Sequence, residues 1–391
     1  VPVDLSLDYG GLPEIRWRPG GKSFWFERLD RGYGRWRVLE ADLANGKTRT
    51  LIDDDPDTFY DTTSQFLHSV EGTGEFIFRS ERSGWGHLYL TDGNTPRPIT
   101  QGSWVVRGVE FVDEKARQIV FRASGKETNE DPYFIKVYRV GFDGKGLVCL
   151  TPGYGHHTVQ FSPDRKVLID TVSTVVRAPV HTLRSALNSK PLGELERADV
   201  SALVAGGWRP PQPFAAKGRD GKTDIFGLVF RPRKMDPTKR YPVIEDIYAG
   251  PHDSFVPKGF SATFGSQALA ELGFVVVHID GMGTRNRSKA FHDVCWKNVK
   301  DAGLPDRIAW IKALAATDSQ VDLERVGIFG TSAGGQSSTG ALLFHPDFYK
   351  VAVSSCGCHD NRLDKISWNE QWMGWPVGEE YKASSNIENA A

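Results

Sequence analysis

The feature that most constrains this sequence is the stretch RVGIFGTSAGGQSS, from Arg325 to Ser338. The apolar run RVGIFG predicts a buried strand, and the small-residue run GGQSSTGALLFHP predicts a helix. Between them, G-T-S-A-G matches the G-x-S-x-G pattern of a strained strand-to-helix turn that lifts a serine out of a sheet. Side chains at Gly330 and Gly334 would collide with the neighbouring strand and helix. The pattern predicts Ser332 as a nucleophile, and an inert serine in a helix-capping turn is the alternative.

Strands and helices alternate on both sides of this stretch. YPVIEDIYAGP and VVVHIDG indicate buried strands, SQALAELGF and PDRIAWIKALAATD helices, and FAAKGRDGKTDIFGLVFRP a hairpin. This alternation predicts a doubly wound, mostly parallel sheet covered by helices, and we assign residues 186–391 to it. Near its start, ELERADVSALVAGGW is expected to form a short amphipathic helix. Ligands of such sheets bind beyond the carboxyl ends of the strands, where Ser332 is expected.

The first half of the sequence carries a weak internal repeat of strands and turns. IRWRPGGKSFWFERLD and VQFSPDRKVLIDTVS share an aromatic, a proline, a turn and an apolar strand. GEFIFRSERSGWGHLYLTDG and RQIVFRASGKETNEDPYFIKVYRVGFDG, between them, each contain two strands and a polar loop. The order predicts a partial β-propeller of about four blades in residues 1–185, with a β-sandwich as the alternative. Since propellers typically close with about four to eight blades, we expect earlier blades before Val1.

Composition excludes several function classes. A formal net charge of −1, from 48 basic and 49 acidic residues, gives no basic surface for nucleic acid or an anionic membrane. No apolar run reaches the length of a membrane span. Neither a cofactor nor a metal site is expected, and the four cysteines are expected to be buried thiols. The compartment is left open, with a periplasmic or secreted location slightly favoured over a cytoplasmic one. The four cysteines are Cys149, Cys295, Cys356 and Cys358.

Two further groups are candidates for stabilising an oxyanion next to Ser332. The backbone N–H of Ala333, the residue after the nucleophile, is one donor that this type of turn supplies. Tyr248, in DIYAGPHDSF, lies at a strand end where its hydroxyl could reach the same oxygen; packing is the alternative. In the next strand-end loop, Asp280 is expected to hold the loop in place. Arg285 is left open between contacting substrate and capping that loop.

Together these residues resemble the prolyl oligopeptidase family of serine peptidases, in its dipeptidyl peptidase IV-type branch. The motifs that carry the likeness are I-Y-A-G-P, D-G-M-G-T, G-x-S-x-G-G and E-Q-W-M-G-W-P. The resemblance implies a propeller followed by an α/β-hydrolase domain, with Ser332 as nucleophile and Tyr248 in the oxyanion hole. It implies that Trp368 lines the pocket for the residue before the scissile bond. A second aromatic of that pocket aligns near Asp364, which is not aromatic.

The resemblance also bears on the histidine that would activate Ser332. In this fold the acid and the histidine follow the serine on loops after later strands. The family's positions for both lie beyond Ala391, so we expect the chain to be truncated there and negligibly active as it stands. Of the two histidines that follow Ser332, His345 is expected at the far end of the helix. His359 reaches the active-site edge but lacks an orienting acid.

Three functional hypotheses remain open from the sequence. The first is a serine peptidase that releases dipeptides from the amino termini of peptides, with the propeller as a sieve. The second is an acylaminoacyl peptidase or esterase, because Ala333 leaves the pocket wall thinner. The third is an interaction protein with a catalytically dead hydrolase domain. Peptide substrates are the expected partners, and assembly into a homo-oligomer is left open.

Overall fold

The computed structural model describes residues 14–390. Its first part consists of four four-stranded antiparallel sheets, and in each sheet the strands lie side by side in chain order. This is the blade architecture of a β-propeller, as the repeat predicted. The strands are β1 (Arg16–Trp17), β2 (Ser23–Leu29), β3 (Trp36–Asp42), β4 (Thr48–Asp54), β5 (Leu67–Ser69), β6 (Phe76–Ser80), β7 (His87–Thr91), β8 (Arg97–Pro98), β9 (Val105–Asp113), β10 (Gln118–Ser124), β11 (Ile135–Gly141), β12 (Val148–Cys149), β13 (His156–Phe161), β14 (Val167–Thr174), β15 (Arg177–Ser185) and β16 (Pro191–Arg197).

Adjacent blades pack through apolar side chains that alternate along their inner strands. Trp36 of the first blade shares a buried cluster with Phe78 of the second. Leu88 of the second blade shares another with Phe121 of the third. Val120 of the third joins Leu168 of the fourth. Because every other residue of a strand faces the same side, one strand can supply both of its neighbouring clusters.

The fourth blade ends later than the sequence predicted. Residues 191–197 form strand β16, which pairs antiparallel with β15, so the propeller part reaches Arg197 instead of stopping at residue 185. Of the helix expected in ELERADVSALVAGGW, only α1 (Ser201–Ala205) forms. All seven residues of β16 are exposed, and its charged side chains protect an edge that would otherwise invite pairing with another chain.

The second part is a six-stranded mixed sheet in the order β17, β18, β20, β19, β21, β22. The first two pairings in that order are antiparallel and the last three are parallel. The α/β-hydrolase architecture predicted from the sequence is therefore present. The strands are β17 (Gln212–Lys217), β18 (Asp224–Phe230), β19 (Tyr241–Asp246), β20 (Val275–Asp280), β21 (Val321–Thr331) and β22 (Tyr349–Ser355). The helices are α2 (Gly265–Ala270), α3 (Lys289–His292), α4 (Leu304–Thr317), α5 (Ala333–Phe344), α6 (Ile366–Met373) and α7 (Glu379–Ser384).

Parallel pairing places the functional loops at one edge of this sheet. Asp246 pairs with Phe329, and Thr331 pairs with Ser355, so β19, β21 and β22 end side by side. The loops that follow these three strands therefore meet at one edge, as the sequence predicted. Helix α4 packs against β17 and β21, whereas α5 packs against β21 and β22.

The core of the sheet contains one buried ion pair. Arg307 of α4 donates from Nη1 to Glu245 of β19 at 2.7 Å, and both side chains are at most 1% exposed. The second carboxylate oxygen of Glu245 accepts from the Tyr349 hydroxyl, also at 2.7 Å. Both charges are thus compensated within the core, which a buried ion pair requires. Among residues 14–390, no helix is long and apolar enough to cross a membrane.

Candidate active site

Ser332 occupies a strained turn between β21 and α5. Its backbone has φ 60° and ψ −119°, a left-handed conformation that costs a non-glycine residue about 1–3 kcal/mol. The Ser332 N–H donates to the carbonyl of Ser355 at 2.8 Å, so the end of β22 holds the turn. The strand, turn and helix predicted from G-T-S-A-G are therefore all present.

Two glycines allow the turn to form against the end of β19. A Cβ on Gly330 would lie 2.4 Å from the Ile247 carbonyl oxygen, and a Cβ on Gly334 only 2.1 Å from the same atom. Both distances are shorter than any real contact, and the obstructing atoms are backbone. The collisions predicted from the sequence are confirmed, and they show that β19 and α5 pack backbone to backbone beside Ser332.

The hydroxyl of Ser332 is exposed at the amino end of α5. It does not cap the helix that it begins, so it makes no hydrogen bond to that helix's first N–H groups. The first N–H groups of a helix have no partner within the helix, and the helix dipole favours negative charge there. The N–H of Ala333 is the first of these donors. The geometry thus combines an exposed hydroxyl with a site suited to a developing oxyanion.

Tyr248 lies two residues after the end of β19 and touches the same helix end. Its Cα would be 3.1 Å from a Cβ on Gly334, so the missing side chain is what allows the approach. The Tyr248 ring is half-buried and packs on Phe255, with centroids 4.6 Å apart, and edge-on against His252 at 5.7 Å. The structure therefore brings the backbone of Tyr248 against the serine turn, while its role in the oxyanion hole stays a prediction.

The loop that carries Tyr248 is fastened at its other end by Asp280. The carboxylate of Asp280 accepts from the N–H groups of Phe255 at 2.8 Å and of Val256 at 2.9 Å. Burial raises the pKa of Asp280, and these two donors act in the opposite direction. Asp280 therefore supports a loop, as predicted, but this is the loop after β19 and not the loop after its own strand, because its buried carboxylate faces the N–H groups of the neighbouring strand's loop.

Three side chains anchor the same loop from the segment after β20. Asn286 donates from Nδ2 to the Asp253 carboxylate at 2.7 Å. Arg285 donates from Nη1 to the carbonyl of His252 at 3.3 Å. His292 donates from Nε2 to the carbonyl of Pro251 at 2.7 Å. Arg285 thus holds the loop after β19 and not its own loop, which the sequence had offered as one of its two roles.

The Arg285 side chain also contacts the propeller. Its Nε donates to Oδ2 of Asp61 at 2.8 Å, and Asp61 is 3% exposed. One ligand atom each of Asp61, Glu81 and His292 lies within 4.8 Å of the others, a spacing that could suit a metal ion. However, Arg285 already pairs with Asp61, and Arg79 with Glu81 at 3.2 Å. We therefore describe this group as an ion network between the two domains.

Trp368 lies on α6, half-buried. Its ring meets that of Trp372 edge-on, with centroids 6.4 Å apart, and both pack with Phe59 of the propeller and Cys295. Trp368 thus helps to build an aromatic contact between the domains. Whether it also lines the pocket before the scissile bond stays a prediction.

A chain of side-chain amides ties α6 to the helix that follows the serine. Asn361 donates to Asn369 of α6 at 2.7 Å and accepts from Gln336 of α5 at 2.8 Å. All three side chains are buried. The position of Trp368 relative to Ser332 is therefore fixed by this chain. Asp364, the other pocket position weighed from the sequence, is exposed just before α6.

Comparison with known proteins agrees with this architecture. The family model "Prolyl oligopeptidase family" matches residues 260–391, and "Dipeptidyl peptidase IV (DPP IV) N-terminal region" matches residues 1–179. The chain belongs to the prolyl oligopeptidase family. Its pairing of a propeller with the peptidase domain is that of the dipeptidyl peptidase IV type, as the sequence motifs indicated.

Two curated relatives and one solved structure of this type each match more than nine-tenths of this chain. Dipeptidyl peptidase 8 of Homo sapiens is 27% identical over 92% of this chain and 46% of its own length. Dipeptidyl peptidase 4 of Trichophyton rubrum is 24% identical over 93% of this chain and 48% of its own length. The crystal structure of Porphyromonas gingivalis dipeptidyl peptidase 4 has a TM-score of 0.81 at 23% identity, covering 96% of this chain and 53% of that one. The chain therefore spans about half the length of the curated relatives it matches.

Neither histidine that follows Ser332 in the described residues is placed to take a proton from its hydroxyl. His345 is the C-cap of α5, at the opposite end of the helix from Ser332. The ring of His359 is hydrogen-bonded through Nδ1 to Asn386 at 3.1 Å. Within residues 14–390 the structure gives neither ring a hydrogen bond to Ser332. This agrees with the sequence argument that both are poor candidates for the base.

The adjacent histidines His156 and His157 lie at the start of β13 in the propeller. The His157 ring is hydrogen-bonded through Nδ1 to the Asp170 carboxylate at 2.7 Å and through Nε2 to the Gly153 carbonyl at 3.2 Å. Burial lowers the pKa of His156 to about 4, so it is neutral at ordinary pH. Neither observation points to a metal ligand.

The cysteines are less uniformly buried than the sequence predicted. Cys295 is buried, and Cys149 and Cys358 are intermediate, but Cys356 is exposed. Cys356 follows β22 in a left-handed conformation, with φ 51°, where the chain turns out of the sheet beside Ser332. The prediction of four buried thiols was therefore wrong for Cys356, because a thiol in a loop at the sheet edge has no core to enter.

Proposed function

We propose that the whole protein is a serine peptidase that releases dipeptides from the amino termini of peptides. The observation that carries the proposal is the exposed Ser332 hydroxyl in a glycine-flanked turn at the amino end of α5. Membership of the prolyl oligopeptidase family supports peptide-bond hydrolysis. The relatives' names, dipeptidyl peptidase 8 and dipeptidyl peptidase 4, support release of dipeptides.

In the proposed reaction, Oγ of Ser332 attacks the scissile carbonyl and forms an ester with the acyl part of the substrate. The carbonyl oxygen becomes an oxyanion, which would accept hydrogen bonds from the N–H of Ala333 and the hydroxyl of Tyr248. A histidine base takes the Ser332 proton and returns it to the leaving amine, after which water hydrolyses the ester. We assign the role of that base to no histidine of residues 14–390.

We further propose that Trp368 lines the pocket for the residue before the scissile bond. Its helix is tied to α5 by buried amides, so it holds a fixed position relative to Ser332. A half-buried indole offers a flat apolar wall, which suits proline or alanine better than a charged side chain.

The experiment that tests the function compares reporter substrates on the whole protein. Gly-Pro and Ala-Ala conjugates of a fluorescent amine should be cleaved, and Ser332→Ala should remove the activity. Acetyl-alanine conjugates, which lack a free amino terminus, should be cleaved poorly. Preference for the acetylated substrate would replace the proposal with an acylaminoacyl peptidase. Failure of every substrate, together with no labelling by a fluorophosphonate, would refute an active hydrolase.

A further inference from the structure

The loop that carries Tyr248 is held through two consecutive backbone carbonyls. The carbonyl of Pro251 accepts from Nε2 of His292 at 2.7 Å, and the carbonyl of His252 accepts from Nη1 of Arg285 at 3.3 Å. In addition, the N–H of Arg285 donates to the carbonyl of Asp253 at 3.2 Å. The His252 ring packs edge-on against Tyr248. A shift of either donor would therefore displace the part of the loop that packs against Tyr248.

Both donors, Arg285 and His292, contact one short propeller segment, residues 59–61. Asp61 accepts from Nε of Arg285 at 2.8 Å. The Phe59 ring stands edge-on against the His292 ring, with centroids 4.9 Å apart and an interplanar angle of 86°. Phe59 and Asp61 are at most 3% exposed. A single stretch of the propeller thus contacts two of the side chains that hold the loop, Arg285 and His292.

The segment is rigid enough to act as a support. Asp61 caps the 3-10 turn Thr62–Ser64, accepting from the Thr63 N–H at 3.0 Å and from the Ser64 hydroxyl at 2.6 Å. Phe59 also packs edge-on against Trp372, with centroids 5.0 Å apart. The carboxylate is thus fixed by its own chain before Arg285 reaches it, which is the preorganisation that a positioning contact needs.

The charges at this contact favour the ion pair. Burial alone would raise the pKa of the Asp61 carboxyl, but the nearby Arg285 and Arg79 guanidinium groups hold it well below its ordinary value. Asp61 is therefore ionised at neutral pH. Removing one partner of such a pair leaves the other charge buried without compensation. Without Asp61, the Arg285 guanidinium loses the contact that holds its Nε, and its hydrogen bond to the His252 carbonyl is no longer oriented.

We propose that Asp61 of the propeller is a positioning residue for the oxyanion side of the active site, acting through Arg285 on the loop that carries Tyr248. This inference rests on the proposed function, because it assigns Tyr248 to the oxyanion hole. It gives the propeller a part in catalysis besides any role as a sieve. Packing of the two domains and assembly of the active site are then coupled through residues 59–61.

The test uses Asp61→Asn in the whole protein, with dipeptide reporter substrates. Because a misplacement of about 1 Å can cost roughly 100-fold in rate, we expect kcat to fall by about 10- to 100-fold with KM little changed. The matched control is Thr62→Val. It removes the neighbouring hydrogen bond between the domains, from the Thr62 hydroxyl to Gln371 at 3.0 Å, which does not touch the loop. This control should keep kcat within about twofold of the parent protein.

A double-mutant cycle separates positioning from a general structural effect. If Asp61 acts through Tyr248, then Tyr248→Phe with Asp61→Asn should be no more than about twofold slower than Tyr248→Phe alone. If the losses in kcat of the two single variants multiply in the double variant, the proposal is overturned. A kcat for Asp61→Asn equal to that of the control would also overturn it. Should Asp61→Asn fail to fold, Arg285→Lys serves instead. A lysine has one nitrogen, which can bond to Asp61 or to the His252 carbonyl but does not replace both contacts. We therefore expect the same loss in kcat and the same result in the double-mutant cycle with Tyr248→Phe.

A readout without substrate keeps this test distinct from that of the function. Amide hydrogen exchange across residues 248–256 should be faster in Asp61→Asn than in the parent protein, and unchanged in Thr62→Val. Unchanged exchange in Asp61→Asn would overturn the proposal that Asp61 positions the loop through Arg285, even if the enzyme is active. A parent protein that hydrolyses nothing would refute the function and leave exchange to decide the contact.

Discussion

Gly334 offers the sharpest test of how the serine turn is built. An alanine Cβ there would lie 2.1 Å from the Ile247 carbonyl oxygen, where ordinary contact begins at 3.4 Å, so the two must separate by about 1.3 Å (3.4 minus 2.1). The obstructing atoms are backbone atoms just after β19, so no side-chain rotation can relieve the clash. Overpacking of this kind costs about 1–3 kcal/mol, against which alanine's better helix propensity returns at most about 1 kcal/mol.

The activity should suffer more than the stability does. A Cβ on Gly334 would also stand 3.0 Å from the Ile247 carbonyl carbon and 3.1 Å from the Tyr248 Cα. Displacement of this segment carries Tyr248 away from the serine. Since about 1 Å of misplacement can cost roughly 100-fold in rate, we expect fluorophosphonate labelling of Gly334→Ala to slow by about that factor.

Gly340→Ala is the matched control in the same helix. Its Cβ would meet Asn386 Oδ1 at 3.5 Å and the Phe344 ring at 3.6 Å, which are ordinary contacts. This variant should be as stable as the parent or up to about 1 kcal/mol more so. Urea denaturation gives the midpoints, and equal slopes confirm that the same surface unfolds. A Gly334→Ala protein that matches Gly340→Ala in midpoint and labelling rate would refute the reasoning.

Three further predictions concern strain, charge and exposure. Ser332→Gly relieves the left-handed φ of 60°, so it should be more stable than Ser332→Ala by about 1 kcal/mol in denaturation, and equal midpoints would contradict the strain. Arg307→Met leaves the buried Glu245 carboxylate without its cation and should cost about 3–5 kcal/mol, measured the same way; a loss below about 1 kcal/mol would show that the pair is dispensable. Iodoacetamide should modify exposed Cys356 in the native protein and spare Cys295, whose thiol pKa burial raises, as mapped by mass spectrometry. Native labelling of Cys295 would argue against its burial.

Features encoded by local sequence were predicted well. The turn at Ser332 needs only neighbouring glycines, an apolar strand and a small-residue helix, all within one short stretch. The blades were recognised because each is a run of consecutive antiparallel strands. Asp280 was assigned a supporting role because it ends a buried strand, and its carboxylate does hold a loop, although that loop follows β19 and not its own strand. Where the information is local, pattern and propensity agree with the fold.

Strand β16 was missed because its stability is not local. The expected helix begins at Glu194, inside this strand, yet Leu192 and Leu195 are about half exposed, at 53% and 51%, and bury no apolar face. The segment is a strand because it pairs with β15, and tertiary pairing overrides a weak local preference.

The contact between the domains had no signal in the sequence. Asp61 and Arg285 are 224 residues apart, and neither belongs to a recognisable motif. The exposure of Cys356 likewise depends on where β22 ends relative to its neighbours. Such features arise only when distant parts of the chain pack together, so a single sequence cannot reveal them.

The most direct test of the central claim is a crystal structure of the whole protein after reaction with a fluorophosphonate. The account predicts phosphorus bonded to Oγ of Ser332, with the phosphonyl oxygen about 2.7–3.1 Å from both the N–H of Ala333 and the hydroxyl of Tyr248. Phosphorus on another residue would contradict the assignment of the nucleophile. An oxygen bound by Ala333 alone, with the Tyr248 ring turned away, would contradict the proposed oxyanion hole.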